Sequence, residues 1–251
     1  MRSAPVVTRA DPARARLLTC APLTKMRSVA PNTPVALVIS SGPPPLAVDK
    51  FVFSDGTGTR TTAPFSTASA GELLVAFVSS DGNGSAGNQT VTVSGAGLQW
   101  TLVRRVNAQR GDSEIWRATA VNQLPNVTVT STQSNSGFHQ SLTVVAFVGA
   151  TGTGASAVAS ASSGAPTVSL TTTKAGSLVY GVGNDWDRAI ARVLGANQTM
   201  VHQWVDTAVG DTLWIQARSS PMATAGTIVA INDTSPTNDR WNLASVEIVS
   251  K

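Results

Sequence analysis

The second half of this 251-residue chain restates the first. Ala70-Gly-Glu-Leu-Leu-Val-Ala-Phe-Val78 returns as Ala175-Gly-Ser-Leu-Val-Tyr-Gly-Val182, and Gly111-Asp-Ser-Glu-Ile-Trp116 returns as Gly210-Asp-Thr-Leu-Trp-Ile215. Each half then closes on an apolar run, Leu142-Thr-Val-Val-Ala-Phe-Val148 in one and Ala244-Ser-Val-Glu-Ile-Val249 in the other. A block repeated with its pieces in order is one folding unit used twice, which constrains architecture strongly. It constrains chemistry weakly, because function sits in loops grafted on the scaffold.

The repeated block reads as β structure. Charged residues make up only 13% of the chain and glutamate occurs only at Glu72, Glu114 and Glu247, so surface helices would lack their charged face. From Phe51 onward, short apolar runs alternate with Gly, Asn, Asp and Ser clusters, the texture of an antiparallel sandwich with frequent turns. Leu73–Val78 and Val144–Val148 are apolar at consecutive positions, which predicts strands covered on both faces. Leu98, Trp100, Leu102 and Val106 alternate with Gln99, Thr101 and Arg105, which predicts one wet face, with Arg104 as an intruder on the dry one.

These patterns predict an all-β, jelly-roll-like antiparallel sandwich over residues 49–251, built from pseudo-repeats 51–150 and 166–251. The segment from Gly149 to Ala165 would be the crossover. Aligning the two Gly-Asp pairs puts Asn197 at the place of Leu98 and Thr199 at that of Trp100, which favours a shared core over the alternative of two tandem immunoglobulin-like sandwiches. Residues 1–48 read as a tail or linker. Their basic, then apolar, composition also fits an export leader with its true start at Met26, interrupted by Pro31 and Pro34, or a mis-extended reading frame.

Charge and cysteine usage narrow the chemistry. Six of the 18 basic residues but only Asp11 among the 14 acidic ones lie in the first 48 positions, so the β region is nearly neutral and a nucleic-acid groove is not expected. Cys20 is the single cysteine, which leaves the sandwich without disulfide or thiolate metal site. No stretch reaches the ~18 apolar residues that a membrane-spanning helix requires.

The succession "AGELLVAFV", "LQWTLVRR", "GDSEIWRA", "NVTVTST", "LTVVAFVGA", then "AGSLVYGVG" and "WNLASVEIV", resembles β-sandwich modules of secreted bacterial proteins and of phage tail or surface proteins. The resemblance covers about Phe51 to Val249 and rests on core patterns. It implies an extracellular or cell-surface accessory or adhesive role and carries no catalytic residue with it.

Catalytic constellations are sparse. A nucleophile would need His139 or His202 as its base, and no Gly-x-Ser-x-Gly elbow is present. A polysaccharide hydrolase or lyase would need two carboxylates about 5 to 10 Å apart, for which Asp112 with Glu114, or Asp185 with Asp187, are the available pairs. The recurrence of Gly-Asp at 111 and 210 fits a strand-opening turn better than a single active site. Asp81 and Asn83 lie in a loop with a partial calcium ligand pattern, and the same residues are normal turn formers, so no cofactor is expected. Five Asn-x-Ser/Thr sequons, at Asn83, Asn88, Asn126, Asn197 and Asn232, matter only in a glycosylating host.

Aromatic residues carry the functional expectation. Trp186 sits in Asn184-Asp185-Trp186-Asp187-Arg188, a polar turn directly after an apolar strand. A ring flanked by amide, carboxylate and guanidinium groups is the chemistry that stacks on a sugar and grips its hydroxyls. Trp204 aligns with Arg105 and would face water or cover the seam between the halves, as a second platform. The sequence therefore predicts a non-catalytic module that binds polysaccharide or another surface glycan. The alternative is a structural or assembly subunit that self-associates.

Overall fold

In the computed structural model of the protein, residues 42 and 44–251 are described. The reading of the N-terminal segment as a tail therefore lies, through residue 41, outside the described residues. The rest is all-β, with sixteen strands and no helix among the described residues. In the first half these are β1 (Ala47–Thr57), β2 (Arg60–Thr61), β3 (Glu72–Ser80), β4 (Val91–Gly95), β5 (Thr101–Val106), β6 (Asp112–Ala120), β7 (Val129–Gln133) and β8 (His139–Val148). In the second half they are β9 (Ala150–Ala161), β10 (Thr167–Thr171), β11 (Leu178–Asp185), β12 (Val193–Leu194), β13 (Gln198–Asp206), β14 (Asp211–Arg218), β15 (Ile228–Ser235) and β16 (Trp241–Ser250).

The duplication is complete at the level of topology. The first eight strands form a five-stranded sheet, β1-β8-β3-β6-β5, and a three-stranded sheet, β2-β7-β4. The second eight repeat both orders, as β9-β16-β11-β14-β13 and β10-β15-β12. First pairs with eighth, second with seventh and third with sixth, all antiparallel, in the nesting of a jelly roll. The fifth strand pairs with the sixth and so joins the larger sheet.

Three apolar clusters show how the layers stack. Leu74, Ala76, Val78, Val91 and Leu142 fill the first sandwich, and Val168, Val179, Trp214, Ile231 and Leu243 fill the second. The third cluster joins Leu73, Val75, Phe77 and Phe147 to Tyr180, Val182, Ile215 and Val246, so the two five-stranded sheets pack face to face. Every residue of β3 is buried, as the unbroken apolar run predicts for a strand with a core on each side.

The two halves face each other about an approximate twofold axis parallel to the strands. Ser79 at the end of β3 donates to the Gly183 carbonyl at the end of β11 over 2.8 Å, and earlier in both strands Phe77 stacks on Tyr180 at 5.6 Å, so these central strands run side by side in the same direction. Edge strand β1 then meets β13 along one rim of the seam, and β5 meets β9 along the other. This is the self-complementary geometry of a twofold dimer written into one chain.

The supposed crossover is a correction. Val148 passes to Ala150 through Gly149 alone, whose φ of +72° and tight approach to the Pro44–Pro45 backbone leave no room for a side chain, and the next twelve residues are strand β9. Its inward residues are Ala155, Ala157, Ala159 and Ala161, which pack on the second core. Alanine at every second position of an edge strand carries too little hydrophobic contrast to stand out from a loop.

Register supplies a second correction. Phe77 pairs with Ile115, and its counterpart Val182 pairs with Ile215, so the strand positions match at Ile115 and Ile215 and the two Gly-Asp pairs stand one residue out of step. A one-residue slip reverses the faces. Asp112 therefore points into the first sandwich beside Glu114, whereas Asp211 points into the seam. A bulge between Leu102 and Arg104 likewise turns β5 over: Leu98 and Trp100 pack in the first sandwich, Val106 in the seam, and Arg104 reaches Ser156 across the rim.

Candidate functional site

Like-oriented halves bring their loops to one end of the molecule. Arg110, from the β5–β6 turn, accepts through its carbonyl from Asn184 and Asn242 of the second half, both at 3.1 Å, and Asn242 accepts from the Gln109 amide at 2.9 Å. Asn184 is therefore buried at the seam, with its side-chain oxygen facing Ser113 and Asn242. Strand alternation puts Asp185 on the opposite face, inside the second sandwich, where its carboxylate caps the Asp187 amide at 2.8 Å and pairs with Arg192.

Arg192 is enclosed completely. It bridges Asp185 and Asp233 and lies over the Trp214 indole at 4.6 Å. Gly183 is what makes space for that indole, since a Cβ there would collide with the ring. Burial pushes the Asp185 carboxyl up to about 7 and that of Asp233 to about 6, against the pull of the guanidinium.

The rest of the predicted tip set divides by exposure. Trp186 is half-buried, with Arg110 of the first half over its ring at 5.7 Å, so it sits across the seam. Asp187 is exposed and accepts from the Arg240 amide at 2.8 Å, and Arg188 pairs with Asp239. Asp81 is buried and Asn83 accepts from the Ser85 amide at 3.3 Å within its own turn. Among the described residues, no group of three or more His, Cys, Asp or Glu side chains is arranged to hold a metal ion.

Trp204 belongs to a different and more extended feature. A bulge between Met200 and His202 turns β13 over as it does β5, so His202, Trp204 and Asp206 face the seam rather than Arg105's side of the sheet. Across the rim stand Phe51, Phe53 and Asp55 of β1 and His139 at the start of β8. Phe53 stacks on His202 with ring centres 4.0 Å apart, Phe51 lies 5.7 Å from Phe53, and Trp204 stacks on His139 at 5.5 Å with ring planes 9° apart. Five rings thus line the β1/β13 rim. Both imidazoles are pinned by carboxylates: His202 Nε2 lies 2.8 Å from Asp55, and His139 Nδ1 bonds Asp206. Phe53 remains 47% exposed and Phe51 36%.

Sequence reasoning named Trp204 but missed Phe51 and Phe53. In a strand pattern they read as inward core residues, and only the sheet order shows that β1 is an edge.

Below Trp204, at the end of the strip, Asp211 faces Asp81 across the seam. Burial, and then the charges of Asp81, Asp206 and Asp185, push the Asp211 carboxyl up to about 9; burial also raises Asp81. The folded protein therefore holds a proton here that the unfolded chain, with an ordinary aspartate, has released. That contribution to stability is complete below about pH 4 and is lost as pH rises through about 9. Asp211→Asn should raise the melting temperature at pH 8 by several degrees, about 2–4 °C per kcal/mol relieved, and leave it nearly unchanged at pH 4. Calorimetry across this range measures the difference.

No family model matches the chain, and neither the curated proteins nor the solved structures searched contain a match to it. The fold and the geometry of its rim and tip are what bear on function.

Proposed function

We propose that the protein is a non-catalytic extracellular module that binds a polysaccharide or similar surface glycan, with the β1/β13 aromatic strip as its platform and the Trp186 turn as a separate contact. The observation that carries this reading is the row of partly exposed rings. Stacked aromatic faces of fixed orientation suit the apolar faces of successive sugar rings, and the Asp55 and Asp206 carboxylates hold the imidazoles in place.

The carboxylates support binding over cleavage. Asp112, Glu114 and Asp185 are buried within the sandwiches, so neither pair available for glycoside hydrolysis can face a polymer from both sides. Among the described residues each imidazole bonds to an aspartate, and neither bonds to a serine that could serve as nucleophile.

The test is retention of the full chain on a panel of immobilised neutral polysaccharides. Phe53→Ala and Trp204→Ala should each weaken retention about tenfold, or ~1.4 kcal/mol, while Val121→Ala, on an exposed turn elsewhere on the molecule, leaves it unchanged. Retention indifferent to both ring deletions would overturn the reading. Exposed Val48, Phe51 and Phe53 on the free edge of β1 also favour a second reading, an assembly module of a surface or phage-like appendage. Light scattering separates the two: ordered self-association that Phe53→Ala abolishes, with no polysaccharide bound, favours assembly.

A further inference from the structure

The opposite rim of the seam, between β5 and β9, has the equivalent position in the twofold arrangement and a different chemistry. The two five-stranded sheets part there into an open slot of about 320 Å³, lined by Gln99, Thr101, Arg117, Thr119, Thr151 and Gly152. The first four come from one half and the last two from the other. Among the described residues, no aromatic ring and no carboxylate lines it.

Among the described residues, Arg117 is the one charged group in the slot. Its register opposite Thr101 on β5 and Val75 on β3 aims it into the seam, where it donates to Thr153 Oγ1 at 3.0 Å. No carboxylate pairs with it among the described residues. Further along this rim Arg104 donates to Ser156 Oγ at 2.9 Å and also lacks an acidic partner. Glu247 of β16 faces the second sandwich instead, where Thr173 and the Ala155 amide satisfy it. The rim thus carries an uncompensated positive field.

A guanidinium offers a planar fork of donors that matches a carboxylate, and hydroxyl and amide groups around it can exchange hydrogen bonds with sugar hydroxyls. The volume is at the lower end of small-molecule sites and holds a single ring. We propose that this slot binds one acidic sugar residue, a hexuronate, with its carboxylate on Arg117 and its hydroxyls among Gln99, Thr101, Thr119 and Thr151. The choice of a sugar rests on the glycan-binding reading above; the anion preference rests on the slot alone.

The experiment is a two-dimensional amide NMR titration of the full chain with glucuronate, glucose, acetate and inorganic phosphate as separate arms. Glucuronate should shift amides of Thr101, Thr119 and Thr151 with millimolar affinity. Glucose, acetate and phosphate should bind at least tenfold more weakly. Arg117→Gln should weaken glucuronate at least tenfold, and Arg117→Lys, which keeps the charge and loses the fork, should fall between. Arg117 lines an open slot and not a core, so an unchanged melting temperature verifies that the variants fold.

Undiminished glucuronate binding by Arg117→Gln overturns the proposal, as does no shift at these amides. Acetate or phosphate binding as well as glucuronate overturns the sugar assignment, and glucose binding equally overturns the charge assignment. Shifts at the slot with no ring-dependent retention of neutral polymer would sustain this site while the strip reading fails; the converse result would do the reverse.

Discussion

Replacing Arg192 with alanine should destabilise the protein by about 3–5 kcal/mol, because the carboxylates of Asp185 and Asp233 would be left in the interior without their counter-ion. For a chain of this size that is a fall in melting temperature of roughly 10 °C. The loss should be larger at pH 8 than at pH 5, since the stranded carboxylates can relieve their burial by taking up protons as pH falls. A triple variant, Asp185→Asn, Arg192→Met and Asp233→Asn, should recover most of the loss, because neutral groups of similar volume carry no such desolvation cost. Thermal unfolding at both pH values checks this, and a single variant as stable as the parent would show that the enclosed cluster contributes nothing.

Phe77→Ala should cost a similar ~3–5 kcal/mol through the cavity it leaves. Phe77 is fully buried in the seam, with the Tyr180 ring of the other half 5.6 Å away and Phe147 packed on the same tyrosine. Because this core belongs to both halves, its loss should lower one cooperative transition, not split off the first half. Tryptophan fluorescence and far-ultraviolet circular dichroism should report coincident midpoints in parent and variant alike. Separated midpoints would mean that the halves stand independently and that the shared core contributes little.

The parts of the fold legible in the sequence are those where hydrophobic contrast is high. Leu73–Val78 and Val144–Val148 announced strands covered on both faces, and they lie between two cores. The repeated Gly-Asp turns located the starts of β6 and β14 correctly, yet could not reveal that one aspartate faces a sandwich and the other the seam. That difference is a single residue of register, set by strand pairing and invisible to alternation. Strand β9 escaped because alanine marks its inner face, and β2 and β12 because two residues have no period.

For the site, composition found the right residue types but not their neighbours. The run from Asn184 to Arg188 looked like one polar cluster, whereas alternation distributes it over the seam, the second core and the surface. Trp204 gained its importance from His139, which lies 65 positions away and stacks on it, and from the neighbouring stack of Phe53 on His202, 149 positions apart; both stacks form only through the twofold arrangement.

A true homodimer must present identical chemistry at both symmetry-related margins, because one gene dictates both. Fusion of the two copies lifts that restriction: aromatic rings now occupy one margin and the guanidinium groups of Arg104 and Arg117 the other. A mutation on either side is felt once instead of twice, so the two surfaces can specialise separately while the common interior keeps the halves in step.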